Sequence, residues 1–192
     1  MTPTPHRPRN AAATRGAILE SAVRNFARAG YDGVGVREIA SDAGVTAMMV
    51  NRYFGSKEQL FAEAVETSFA VPAVIAADSD ELAHDAATML VERTDPGAAP
   101  LEPFLIMLRS ASSPRAVEIV RDAIERHVGR RLARQLPESG RPIRTEVMLS
   151  VIAGVLLMRR AIGTRALNEA NPDQLVNVLD AVFTAIVETP LA

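Results

Sequence analysis

The 192-residue chain contains no cysteine, which excludes disulfides, thiolate nucleophiles and thiolate metal sites and fits a reducing cytoplasm. Lysine is nearly absent too: of 21 basic residues, Lys57 is the sole lysine and the rest are arginine. The longest uncharged apolar run, Val147 to Met158, is too short to span a bilayer. The opening "MTPTPHRPR" lacks the apolar segment of a secretory signal. No stretch alternates apolar and polar residues convincingly as a strand. A glycine-rich phosphate loop, a nucleophile elbow and a metal-binding helix motif are also missing, so neither enzyme chemistry nor a cofactor is expected. His84 and His127 stand isolated, without imidazole or carboxylate partners at metal-ligand spacing, and no metal site is expected. These absences leave a soluble, cytoplasmic protein that does not enter a membrane.

What is present is enough apolar sequence, 48%, to build a real core. The net charge of −2 hides an asymmetry. Residues 1–60 carry 8 basic and 5 acidic groups, or +3, and the remainder carries 13 and 18, or −5. One end of the chain is therefore the better match for a polyanion. Prolines mark the ends of elements, and between them apolar residues recur at helical spacing. Ile18, Ala22 and Phe26 form one stripe, with Leu19 and Val23 beside it. Ile119, Ala123 and Val128 lie in a charged segment, and Leu175, Leu179, Val182 and Ile186 form a further stripe. "SSPRAVE" and "ANPDQL" each place a capping residue, Ser113 or Asn171, before a proline at the first helical position. The predicted fold is all-α, with about nine helices. Residues 1–9 are expected to be a loose basic tail with no helix before about Asn10. Residues 10–56 would be a three-helix module, and 57–192 a larger helical bundle.

The most informative stretch is "VREIASDAGVTAMMVNRYF". Val36, Ile39 and Ala40 read as the buried face of a short helix that stops at Gly44, where a positive φ permits a tight turn before Val45 packs inward. Thr46 then caps a second short helix with Val50 and Phe54 inward. This is a helix-turn-helix pattern, whose second helix can enter a DNA major groove. "YFGSKEQL" follows at once, with Ser56 as the cap of a helix running to about Val71. A helix N-terminus beside a cation binds phosphate, so Lys57 reads as a grip on the DNA backbone. A solvated lysine at a helix start is the plainer alternative.

The segment from Arg15 to Val65 resembles the DNA-binding domain of the tetracycline-repressor (TetR) family of bacterial regulators. The matching pieces are "ILESAVRNFARAGYDGVGVREIASDAGV" and "VNRYFGSKEQLFAEAV", the latter with the family's aromatic-x-Ser-Lys-Glu-x-Leu helix start. The resemblance implies that Arg37 reaches a guanine edge or a phosphate, and that Thr46, Ala47 and Met48 face the groove. The apolar side chains there would meet thymine methyls. Tyr53 and Lys57 match phosphate-clamping positions, and Arg52 would serve bases or backbone. The sequence departs from the family with Asn51, where tyrosine is usual, so Asn51 would read an adenine or hold a phosphate. It departs again at Gly35, which offers no side-chain cap.

For the rest of the chain the resemblance implies a ligand-binding and dimerisation domain. Two recognition helices must meet successive major grooves, so a two-fold homodimer on a palindromic operator of double-stranded DNA is expected. "VMLSVIAGVLLM" is apolar all round and supplies the candidate interface with the last helix. The residues are Val151, Gly154, Val155, Met158 and Ile162, with Leu175, Leu179, Val182 and Ile186. A central core helix in a monomer is the alternative. Met89, Phe104, Met107, Leu108 and Met148 fall on helices that line the family's effector cavity, implying a small apolar or amphipathic effector. Effector binding would move the helix that begins at Ser56 and spoil the groove spacing. Two other functions remain open: a helical protein-interaction module, and a non-specific DNA anchor without effector response.

Overall fold

The computed structural model of the protein describes residues 7–70, 74–75, 79, 81–95, 97–98 and 101–191, with side chains from residue 11 onward. Among the described residues there is no strand. The α-helices are α1 (Arg7–Ala29), α2 (Val36–Asp42), α3 (Ala47–Phe54), α4 (Lys57–Ala70), α5 (Leu82–Arg93), α6 (Glu102–Ser110) and α7 (Pro114–Ala123). They continue with α8 (Arg130–Ala133), α9 (Arg141–Leu156), α10 (Arg165–Asn168) and α11 (Pro172–Glu188). Two π-helical turns, Ile124–Gly129 and Leu157–Ile162, run on from α7 and α9 without a break. Residues 1–6 of the expected tail lie outside the described residues. Residues 7–9 correct that expectation, because α1 starts at Arg7 rather than near Asn10. A first-turn amide has no intrahelical acceptor to lose, so Pro8 is tolerated there.

The chain forms two compact units. The first holds α1 to α4 together with α6 and α7. Its centre is α1, whose Ile18, Ala22 and Phe26 are fully buried as the stripe required. Phe61 of α4 meets Phe26 edge-on, with centroids 4.9 Å apart, and Tyr31 lies at the same distance on Phe61. Such pairs add about 0.5–1.5 kcal/mol each beyond area burial. The end of α1 is tied to α6: Arg109 donates to the Ala27 carbonyl, and the Tyr31 amide donates to Ser110 Oγ at 3.0 Å. Gly30 has φ +72°, and a Cβ there would stand 2.1 Å from the Arg109 carbonyl oxygen. The close approach of α6 to α1 thus needs glycine.

In the charged segment after Pro114 only one of the three apolar residues noted there, Ala123, is buried. The buried residues are Ala116, Val120 and Ala123, while Ile119 and Val128 remain half-exposed. A π-helical turn adds residues to a turn and shifts the face beyond it, so a single 3.6 period cannot cover the segment.

The second unit holds α5, α8 to α11 and both π-helical turns. Helix α11 starts as expected, with Asn171 accepting from the Gln174 amide at 3.2 Å. Its Leu175, Leu179 and Phe183 are buried, in a unit whose core also takes Leu90 of α5 and Met148 and Ile152 of α9. Arg144, also buried, donates through Nε to the Ser139 carbonyl at 2.9 Å. Its other two nitrogens cap the end of α11 at the Ile186 and Thr189 carbonyls. A cation at a helix C-terminus also offsets the macrodipole. His84 is less isolated than its sequence neighbours imply, with Nδ1 3.6 Å from Asp180 Oδ2 of α11. Among the described residues no helix is long and apolar enough to cross a membrane.

Candidate nucleic-acid interface

The α2–turn–α3 segment is built as its residues dictate. Ile39 and Ala40 bury the inner face of α2, and Gly44 takes φ +68° in the turn. The Val45 amide closes that turn on the Ala40 carbonyl at 2.9 Å. Gly35 begins α2 without a side-chain cap, as its lack of a side chain requires. Thr46 caps α3 by accepting from the Met49 amide, and Val50 and Phe54 anchor α3 inward. These constraints leave Met48, Asn51 and Arg52 outward at positions i, i+3 and i+4, which form one helix face. Met48 is 78% exposed, an unusual state for a large apolar side chain. Arg37 is exposed on α2, while Ala47 and Tyr53 are half-buried.

Two residues, Gly55 and Ser56, separate α3 from α4, and Ser56 Oγ accepts from the Gln59 amide at 3.1 Å. Lys57 does not stand free. Its Nζ lies 4.5 Å from the centroid of the Tyr31 ring, a cation–π contact. Neighbouring Glu58 accepts from Arg115 of α7 at 2.7 Å, and Arg115 also donates to Glu118 at 2.8 Å. The Arg115 hydrogen bond holds the Glu58 carboxyl below its usual range. Burial, followed by the Glu58 and Asp32 charges, pushes the Tyr31 hydroxyl up. Arg115 and Tyr31 carry no sequence signal of this contact, because neither lies near Lys57 in the chain and no motif couples them to it.

A second cluster braces α2 from behind. Asp42 Oδ2 accepts from Ser21 Oγ at 2.8 Å, Arg24 at 2.9 Å and Asn25 at 3.3 Å. The Ser21 hydroxyl first, then Arg24, lowers the Asp42 pKa. Ser21 Oγ also lies 2.9 Å from the Ile39 carbonyl, so its single hydroxyl hydrogen is shared between the two acceptors, and Arg28 pairs with Glu38. These residues lie within the stretch that resembles the family, but no spacing there signals that they meet.

The residues expected at an effector cavity divide between the two units. Phe104, Met107 and Leu108 lie on α6 in the first, and Met89 and Met148 lie on α5 and α9 in the second. Phe104 and Met148 are buried, and the other three are half-buried. In the second unit Ile143, Val147, Met158 and Ile162 form an exposed apolar ridge along α9 and its π-helical turn. Gly154 is exposed, and Val151 and Val155 are half-buried. On α11 the expected face is corrected. Leu175 and Leu179 turn into the unit's own core, while Val178 and Val182 face outward and Ile186 is half-buried. Among the described residues no group of three or more histidine or carboxylate side chains could hold a metal ion.

An all-helical chain with a capped helix-turn-helix and a separate helical unit has the build of a bacterial DNA-binding regulator. Residues 18–64 match the family described as bacterial regulatory proteins, tetR family, and residues 80–187 match the tetracyclin repressor-like C-terminal domain. The chain belongs to the TetR family of transcriptional regulators, a family of regulators and not of enzymes. It is 38% identical over 58 residues to the HTH-type transcriptional repressor SCO4008 of Streptomyces coelicolor, a match spanning 30% of this chain and 30% of that relative's length. The fold is shared with the TetR-family regulator SCO0857 of Streptomyces coelicolor A3, at 24% identity and a TM-score of 0.55, over 97% of this chain and 99% of that one. It is shared also with the multidrug binding protein EbrR complexed with ethidium, at 20% identity and a TM-score of 0.64, over 92% and 99% of the two chains.

Proposed function

We propose that the protein is a cytoplasmic, ligand-responsive repressor that binds a palindromic operator as a homodimer. The observation that carries this reading is the outward face of α3, where the side chains of Met48, Asn51 and Arg52 are exposed, make no hydrogen bond or ion pair among the described residues, and are held by buried Val50 and Phe54. In this reading Met48 and Ala47 meet thymine methyls and Asn51 bonds an adenine edge, beside Thr46 at the helix start. Arg37, Arg52, Tyr53 and Lys57 hold phosphates or base edges around them. The exposed ridge of α9, together with the exposed Val178 and Val182 of α11, supports a two-fold contact between second units. A small apolar or amphipathic effector would favour the state that cannot span two grooves, and by linkage would weaken DNA binding. EbrR, with its bound ethidium, lends support to a ligand site on this fold.

The test is selection of bound duplexes from a random library by the full chain at fixed salt. An enriched inverted repeat supports a dimeric reader. Binding that depends on salt but enriches no sequence points instead to a non-specific DNA anchor. No binding returns α3 to the role of a protein-contact helix.

A further inference from the structure

Two arginines of the second unit, Arg144 and Arg159, are buried, at 4% and 7% exposure. They differ in how their donors are used. Arg144 has an acceptor on all three nitrogens. Arg159 is bonded through Nη1 alone, to Thr94 Oγ1 at 2.5 Å and the Val91 carbonyl at 3.2 Å. Its Nε is buried with no acceptor, and among the described residues Nη2 makes no hydrogen bond and no carboxylate pairs with the side chain. Nε–H and Nη2–H lie along one side of the planar guanidinium, spaced to meet the two oxygens of a carboxylate.

The setting sharpens the anomaly. Met148, Ile152 and Leu156 make the buried stripe of α9, and Arg159 is the next residue on it. An apolar stripe thus ends in a cation, on a π-helical turn, a feature that recurs at functional sites. The C-terminal end of α5 accounts for the bonded edge of Arg159 through Val91 and Thr94, but not for the other edge. The Asp95 charge acts on Arg159 from a distance but makes no hydrogen bond with it, Asp95 being exposed and turned to the Gly97 amide at 2.9 Å. A desolvated charge with idle donors is costly unless an anion completes it.

The geometry points to a carboxylate-binding subsite on the Nε–Nη2 edge of Arg159, and hence to an effector with a carboxylate head and an apolar body. This rests on the effector reading given above and narrows it. Ethidium, a fixed cation, is the wrong charge for such a subsite.

The experiment uses the full chain with decanoate, 1-decanol and ethidium, followed by calorimetry. Wild type is expected to bind decanoate, and Arg159→Gln to weaken it by about tenfold or more, the loss of two charge-assisted bonds. Arg159→Lys should keep part of the affinity, and 1-decanol should bind wild type and both variants alike. The Arg159 Nε–H resonance of the wild type should shift on adding decanoate, a readout that needs no variant to fold. Absent decanoate binding, equal decanoate affinity in wild type and a folded Arg159→Gln, or tighter binding of ethidium than decanoate overturns the subsite. So does an Nε–H resonance that stays fixed at saturating decanoate. Operator affinity, followed in the same samples, separates the two claims. Arg159-dependent decanoate binding that leaves operator affinity unchanged keeps the subsite and removes the effector role. Operator release by another ligand, with the resonance fixed under decanoate, keeps the effector role and removes the subsite.

Discussion

Arg115 of α7 donates to Glu58 of α4 across 2.7 Å, placing a guanidinium against the carboxylate that follows Lys57. Without Arg115, Glu58 would set an unbalanced negative charge beside the lysine proposed to hold DNA phosphate. Arg115→Ala should therefore weaken binding to any duplex, and Glu58→Gln in the same chain should restore much of the loss. A double-mutant cycle read by fluorescence anisotropy at two salt concentrations checks this.

The same pair sets a pH dependence. The folded-state pKa of Glu58 is depressed by Arg115, and that of Asp42 by Ser21 and then Arg24. Each group then adds stability that is present above the ordinary carboxylate range, about pH 4, and is lost as pH falls through the lower folded value. Thermal melts of wild type and Asp42→Asn should differ near neutral pH and converge in acid. A gap that stays constant through the acid range would contradict the assignment.

Lys57→Met should lower affinity about equally for all sequences and reduce the salt slope by about one. Asn51→Ala should instead relax preference at one base position by about 1–3 kcal/mol. Competition binding against a panel of single-base operator variants distinguishes the two behaviours. Uniform weakening by Asn51→Ala would assign that residue to a phosphate.

Gly30→Ala should cost about 2 kcal/mol or more, because φ is +72° and the new methyl would meet the Arg109 carbonyl. Urea unfolding of the full chain measures it. Gly16→Ala is the control, since nothing lies within 4 Å of a Cβ there.

Val178→Asp combined with Ile162→Glu would place two charges on side chains that are 61% and 64% exposed, so the subunit itself should keep its stability. If these residues form the dimer contact, its dissociation constant should rise by roughly a hundredfold, given the cost of burying unpaired charge. Sedimentation velocity reads this directly, and an unchanged dimer would move the contact elsewhere.

Local signals carried most of what was legible in the sequence. The Thr46 and Asn171 caps, the turn at Gly44 and the inward Val50 and Phe54 each depend on residues within one or two turns. Helix phase over longer distances was harder. Leu175 and Leu179 look like an interface stripe until Phe183 shows that the stripe faces the core and leaves Val178 outside. The π-helical turn after Ala123 defeats a constant period in the same way, leaving Val128 off the buried face. Least legible were contacts between residues far apart in the chain, such as Lys57 on Tyr31, Arg115 on Glu58 and Arg144 on Thr189. No motif couples such positions, and an arginine at the surface is written with the same letter as one in the core.

The first unit takes α6 and α7 from beyond α5, so the chain leaves it after Ala70 and returns at Glu102. On a ribosome, the helix-turn-helix is synthesised early but its supporting wall arrives only when residues 102–123 emerge. Until then the Tyr31 amide lacks Ser110, the Ala27 carbonyl lacks Arg109, and Glu58 lacks Arg115. The nascent reader is expected to stay loose through more than half of synthesis. For anyone grafting this DNA specificity onto another regulator, the transplant must include both stretches, since a cut after α4 would carry the letters of the reading head without its backing.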